Sequence, residues 1–504
     1  MENTNQNSQQ PVQPVQNYYY TPVPPAPPFP TGKRELIFGS LTAIFCLLLC
    51  NFTLFGGFNL GFALATVACM GCTVGYLYTS GHRLNGYSAA LLWLCVVIAL
   101  GFGRSDDGFV KFVMVCFLLL AVNLALCLMA GQNRRNPAGF TSLADPFRAA
   151  FMLGLGELSP AFRGLGILFK EGGLAVKKSG AVLVGLAIAL PVLCIMIPLL
   201  ISADAAFSGL VGLLPDFELG ELIVTVIFGA GAACVLYTQG TALNHKQKPE
   251  TTSGGSKKTI SHLTVNTVLG AVCAVYVAYL FSQLAYFVGG FSGILPEGFT
   301  MAEYARRGFF EMAWLCAIDL SIIAFAVGLV TKQQGKAPLT TRLLCLFVGL
   351  VTVFMVATAS AKMGMYIGSY GLTRLRVLTE IIMVFLGIAT TMVCVWLFVP
   401  TLPYMKVILL VALTMGAITM WADVDTVVAA YNVNAYQSGH LPSVDVYYLG
   451  TLGDGAVPYL VELTTDSQVW VADSAAKVLS RRRARVNDLR DWNYASWYAD
   501  QWNK

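Results

Sequence analysis

The sequence predicts an all-α fold: a polytopic transmembrane helix bundle of about 11 spans, N-terminus inside, with a small helical extracytoplasmic C-terminal tail. Three observations predict it. Of 504 residues, 56% are hydrophobic and only 12% are charged. The apolar residues gather into stretches near the length of about 20 residues that a helix needs to cross the hydrocarbon. The lysines and arginines between those stretches fall mostly on alternate sides.

Residues 1–32 are rich in Gln, Asn and Pro and culminate in NYYYTPVPPAPPFP. They have neither a basic leading region nor an apolar core, so they read as a disordered cytoplasmic tail and not as a signal peptide. Their proline run is otherwise a docking segment for aromatic grooves. Residues 33–421 form the bundle, with spans over 36–55, 60–78, 87–102, 109–130, 181–201, 221–243, 263–288, 309–330, 343–363, 377–399 and 407–421. The loops on the side of Lys33 hold 18 of the 32 basic residues, against 7 on the opposite side before the tail. The positive-inside rule therefore makes the N-terminal side cytoplasmic.

All 13 cysteines fall within these spans, which argues against disulfides and a structural zinc site. Cys69 and Cys72 spell C-x-x-C, but Gly61, Ala65, Ala68, Gly71 and Gly75 surround them, a small-residue face suited to close helix packing. His82, His245, His262 and His440 fall at loops or span edges, so none serves as a proton relay at membrane depth. The runs GAGAAC from Gly229 and GFG from Gly101 lack the strand-turn-helix context of a phosphate loop and read as packing. No cofactor, metal or nucleic-acid partner is implied.

In the cytoplasmic loop 131–180, Phe147, Phe151 and Leu155 recur at helical spacing, as do Phe162, Leu165 and Phe169, flanked by Arg148, Arg163 and Lys170. Two short helices lying in the lipid interface fit this pattern. Binding of anionic lipids through 141–178 is the functional alternative to plain anchoring. KPETTSGGSKK reads as a flexible linker.

Ionisable residues at membrane depth cost about 2.5–3.5 kcal/mol each and need partners. Arg307 and Glu311, beside Arg306, stand four apart where MAEYARRGFFE enters the eighth span. Arg376 and Glu380 repeat the spacing at the mouth of the tenth, after Lys362, Tyr366, Tyr370 and Arg374. Helical geometry lets such pairs meet on one face. Asp319 is an acidic residue near the middle of the eighth span. Together Arg306, Arg307, Glu311, Asp319, Lys362, Tyr370, Arg374, Arg376 and Glu380 form a candidate outward-facing site between spans 7–10 for an anionic or zwitterionic ligand. The competing interpretation is interfacial anchoring, with basic side chains snorkelling to head groups.

The tail 422–504 is more polar, with helices expected near 424–431, 444–449 and 457–463. Residues 474–504 join a basic helix to Trp492, Trp497 and Trp502, which suits an envelope polymer or protein partner, or packing on the tail itself.

Four segments, LPEGFTMAEYARRGFFEMAW, YGLTRLRVLTE, VDVYYLGTLGDGAVPYLVEL and WNYASW, resemble signatures of an uncharacterised bacterial multi-pass membrane family, domain of unknown function 4173, akin to 4153. The resemblance runs from about residue 295 to 497. It implies a polytopic protein of the bacterial inner membrane and transfers no activity. Where relatives often read Asn-Pro-Asp before an Ala-Arg-Tyr-Asn segment, this chain has WADVDTVVAAYN, retaining Tyr431 and Asn432.

Three functions fit. The first is a permease-like or ligand-binding protein. The second is a noncatalytic envelope sensor, scaffold or assembly factor. The third is an enzyme of lipid-linked sugars, which would use the acidic pair Asp106 and Asp107 in the loop RSDDG.

Overall fold

The computed structural model describes residues 32–133, 144–153, 196, 219–245, 260–291, 309–331, 336–482 and 490–502. Among them regular structure is helical, apart from one isolated bridge between Ile260 and Val330. Among the described residues nine helices are long and apolar enough to cross a membrane: α1 (Lys33–Phe55), α2 (Leu60–Thr79), α4 (Gly108–Ala130), α6 (Leu219–His245), α7 (His262–Phe291), α8 (Phe309–Leu329), α9 (Leu339–Tyr370), α10 (Arg374–Phe398) and α11 (Tyr404–Ala422). The 16-residue α3 (Gly86–Gly101) is a shorter apolar helix packed among them. Ten of the eleven expected spans are therefore helices. The remaining one, 181–201, lies outside the described residues, as do the N-terminal tail and the linker.

Local chemistry sets the helix starts. Asn85 accepts a hydrogen bond from the Ser88 amide, Asp107 from that of Val110 and Thr373 from that of Arg376. Each side chain thus satisfies a first-turn amide that has no partner within its helix. α4 stops at Gly131, whose φ of 65° a glycine adopts without strain.

Two apolar cores organise the bundle. One joins α7, α8, α9 and α10 through Leu269, Ile323, Val348, Met355 and Leu397. The other starts in α2, α3, α4 and α11 with Ile98, Phe102, Leu118 and Leu413. It continues without a break into the helices after α11: α12 (Val424–Gln437), α13 (Val446–Thr451), α14 (Val457–Leu463) and α15 (Val469–Ser480). Val428, Leu449, Leu460 and Val471 belong to this same cluster. With α16 (Tyr494–Trp502), these helices form a cap that shares its core with the bundle.

At α1 and α6 the helices touch closely, because a β-carbon at Gly229 would come 2.8 Å from Leu47 and one at Gly240 would come 2.6 Å from the Phe38 ring. Gly101 similarly abuts Met420. Gly101, Gly103 and Gly229 of the two glycine runs are packing positions, whereas a β-carbon at Gly231 would meet nothing within 4 Å among the described residues. The small-residue face of α2 divides: Gly61 meets Phe52, whereas Gly71 and Gly75 have no neighbour within 4 Å among the described residues.

The helix ends sort into two sets. Around the start of α1, the ends of α2, α4 and α6 pack through Phe38, Leu77, Met129 and Leu243. Here Glu35 binds the Gly32 amide at 2.9 Å and lies 3.3 Å from both the Tyr76 hydroxyl and His245 Nε2. His82 meets Asn244. In the loop that follows α4, α5 (Ala144–Phe147) leads into a π-helical turn over Arg148–Leu153, with Phe147 and Phe151 exposed, Ala149 buried and Arg148 donating to the Gln132 carbonyl. The expected second interfacial helix, with Phe162, Leu165 and Phe169, lies outside the described residues. The opposite end of the bundle carries the cap.

Candidate functional site

The cap is fastened to the bundle by a buried polar seam centred on Arg374, the first residue of α10. Its guanidinium forks onto Asp425, Nε to Oδ1 at 2.8 Å and Nη2 to Oδ2 at 2.6 Å, and Nε also lies 2.8 Å from Asp107 Oδ2. Both carboxylate side chains are fully buried. A bidentate arginine–carboxylate pair combines charge with fixed geometry. Asp107 also caps α4, and Asp425 accepts the Gly453 amide at 2.7 Å. The Arg374 amide donates to the Tyr448 hydroxyl.

The segment LGDG folds over these carboxylates because it has no side chain in the way. A β-carbon at Gly453 would come 2.8 Å from Asp425 Oδ2, and one at Gly455 would collide with Asp423 Oδ2 and Thr426 Oγ1. Between the two glycines, Asp454 receives Arg482 on Oδ1 at 3.1 Å and the Ser496 hydroxyl on Oδ2 at 2.6 Å. Asn493 donates to the Ser105 and Phe102 carbonyls, and the Tyr494 amide reaches the Gly103 carbonyl. Asn432 clamps Leu372 in both directions, accepting its amide at 2.7 Å and donating to its carbonyl at 2.8 Å. The two turns after α3 and α9, the starts of α12 and α14, and residues 490–496 are thereby tied together.

Asp423 is the strained member of the seam. It is fully buried, with φ of 53°. Its Oδ2 accepts the Thr426 hydroxyl, while Oδ1 has no hydrogen-bond partner among the described residues. Burial pushes its carboxyl above the ordinary range, with Asp425 adding repulsion; Thr426, Arg104 and the Asp106 main chain pull the other way. The seam's aspartates are engaged by guanidiniums, amides and hydroxyls. Among the described residues no group of three or more His, Cys, Asp or Glu could hold a metal ion.

A second polar site lies inside the helix bundle. Asp319, midway along α8, is fully buried and accepts the Tyr276 hydroxyl of α7 on Oδ1 at 2.5 Å and the Thr352 hydroxyl of α9 on Oδ2 at 2.7 Å. Tyr276 and Thr352 stand near the middle of their own helices.

The candidate residues thus divide. Asp319 sits in this triad and Arg374 in the seam. Arg376 does not pair with Glu380: its Nη1 turns back to the carbonyls of Tyr370 and Gly371, and its guanidinium lies 4.0 Å from the Tyr366 ring centroid. Tyr366 and Tyr370 are themselves 5.2 Å apart, centroid to centroid. Glu380 keeps Oε2 buried without a hydrogen-bond partner among the described residues. Lys362 is partly buried in α9. Arg306, Arg307 and the Glu311 side chain lie outside the described residues. Sequence reasoning missed Asp425, Tyr276 and Thr352. It placed Asp106 and Asp107 in a separate enzymatic hypothesis.

Apolar helices of this number, with a buried carboxylate inside the bundle and a cap at one end, define a multi-pass integral membrane protein of unknown activity. The chain belongs to the family of domain of unknown function 4153, whose family model matches residues 86–463. The match is to 4153 and not to the 4173 family that the motifs suggested, and it takes in RSDD, TRLR, DVD and LGDG. No curated protein and no solved structure matches the chain.

Proposed function

We propose that this chain is a permease-like or ligand-binding protein of the bacterial inner membrane, with Asp319 as its working carboxylate. The observation that carries the reading is the Asp319–Tyr276–Thr352 triad. A carboxylate at the centre of an apolar helix is costly and marks a binding or coupling group by default. Hydroxyls from two further helices are aimed at it, so a change in its charge would be felt by α7, α8 and α9 together. The cap end faces outward by the distribution of basic residues. Lys362, Tyr370, Arg376 and Glu380 then flank the outer approach, to which the sequence adds Arg306, Arg307 and Glu311 as candidate ligand groups. Arg374 stabilises the wall through Asp107 and Asp425. An anionic or zwitterionic ligand suits the excess of basic groups.

A second reading, a noncatalytic envelope sensor, scaffold or assembly factor, is favoured by the seam, which joins cap and bundle into one core. In that reading residues 474–504 and the exposed Phe147 and Phe151 beside Arg148 meet partners or anionic lipids.

The test is a thermal-shift screen of the purified protein in detergent against amino acids, sugars, lipids and ions. Selective stabilisation by an anionic or zwitterionic compound, lost in Asp319→Asn and Arg376→Ala while their unliganded melting stays normal, supports the ligand site. Stabilisation that survives both substitutions refutes it.

A further inference from the structure

A cavity of about 630 Å³ opens in the cap, where α16 meets α14 and the turn after α3. Its size lies within the range of small-molecule sites. Tyr459 of α14 and Tyr494, Tyr498 and Trp502 of α16 line it, with Arg104 and Glu462 among them. The three of these on α16 recur every four positions and so share one helix face. The rings of Tyr494 and Tyr498 are nearly parallel, 5° apart in plane with centroids at 6.0 Å; Trp502 is edge-on to Tyr498 at 6.2 Å. The other side of α16 is buried in the cap through Ser496 and Ala499. The ladder is thus held in place by packing on its back and leaves Trp502 46% accessible.

We propose that this cavity binds a neutral oligosaccharide, with a pyranose ring laid on the face of Trp502 and the Tyr498 ring standing steeply beside it. The ring carbons of a sugar present C–H groups, which suit the electron-rich face of an aromatic side chain. Its hydroxyls need donors and acceptors around the edge. The phenol oxygens of Tyr459, Tyr494 and Tyr498 form no hydrogen bond among the described residues, and Glu462, held by Gln437 at 2.9 Å, supplies an acceptor.

The charges argue against other ligands. Arg104 and Glu462 balance, so the lining has no net pull on an anion. The Arg104 guanidinium already lies over the Tyr494 ring at 4.6 Å, so a quaternary ammonium would meet a like charge where it would otherwise find an aromatic cage. An acyl chain would cover Glu462 and the tyrosine hydroxyls without bonding them, at the cost of unmade hydrogen bonds. The proposal does not rest on Asp319 and stands or falls separately from it.

The test uses the full-length protein in a zwitterionic detergent, because sugar-headed detergents would compete. Maltotetraose, cellotetraose and chitotetraose are titrated by calorimetry and tryptophan fluorescence, with tetragalacturonate as the anionic comparison and choline as the cationic one. The expected result is saturable binding of at least one neutral tetramer, weakened about tenfold or more in Trp502→Ala and in Tyr498→Ala. Trp497→Ala, on the same helix but off the cavity, keeps wild-type affinity. Melting curves like wild type show that the variants remain folded. The proposal is overturned if no neutral tetramer binds, if tetragalacturonate or choline binds more tightly than all three, or if Trp497→Ala weakens binding as much as Trp502→Ala. A Trp502-dependent blue shift on lipid vesicles, with no sugar binding, would assign the ladder to the membrane surface instead.

Discussion

Asp423 combines two costs in one residue, a positive φ and a buried carboxyl with one oxygen unbonded. Asparagine tolerates the same backbone region and carries no charge. Because burial raises the folded-state pKa above the unfolded value of about 3.9, the native state holds the proton more tightly. The stabilising contribution is therefore complete below the unfolded value and is lost as pH rises through the folded one. Asp423→Asn should remove that loss: at neutral pH the variant melts at or above the wild-type temperature in detergent, and its advantage closes as pH falls toward about 4. A variant that melts lower at neutral pH would mean that the charge, with Arg104 and Thr426 beside it, is what the seam requires. At the same scale, within WADVDTVVAAYN, Asp425 supplies the partner of Arg374 and Asn432 clamps the turn before α10.

Among the elements, α1 and α6 show how a chain with few polar contacts at hand packs in lipid. With no hydrophobic drive between helices there, close approach and dispersion hold them together. Gly240 lets the Phe38 ring sit against the backbone of α6 while it stacks on Tyr76 at 4.2 Å. Gly240→Leu should drive the ring out of this stack and lower stability by about 1–3 kcal/mol, the usual cost of overpacking, read as a lower melting temperature in detergent. Gly231→Leu, two residues from Gly229 and so on the far face of α6, where a β-carbon meets nothing within 4 Å among the described residues, should leave it unchanged. Elements of this kind were legible from sequence. Spans declare themselves by twenty-residue apolar runs, and the short cap helix at 457–463 was placed at its observed bounds. The tight contacts were only partly legible, since small residues mark a face without saying what covers it. Gly61 and Gly75 share the same pattern on α2 and have opposite surroundings.

At the scale of the whole molecule, sidedness follows from which loops meet. His440 is exposed on the cap and Arg83 on the far end of the bundle. In intact cells an impermeant maleimide should label His440→Cys, and should label Arg83→Cys only after permeabilisation; the reverse pattern would invert the orientation inferred from the basic residues. The seam explains why the candidate site was harder to read than the fold. Spacing of four along a helix suggested Arg376 with Glu380, but the ion pair that forms joins Arg374 to Asp425, 51 positions away. RSDD, TRLR, LGDG and WNYASW were each conspicuous as sequence, yet nothing local says that they converge. Asn493 reaches back 391 positions to Phe102. That span of chain holds most of the membrane crossings, so the final bond can form only after each helix between has been threaded in the right direction. A single inverted helix would deliver Asn493 to the wrong compartment, away from Phe102 and Ser105, and Asp454 would lose Asp106. The knot of aspartates therefore closes only when the turns after α3, α9 and α11 all emerge on one side of the membrane.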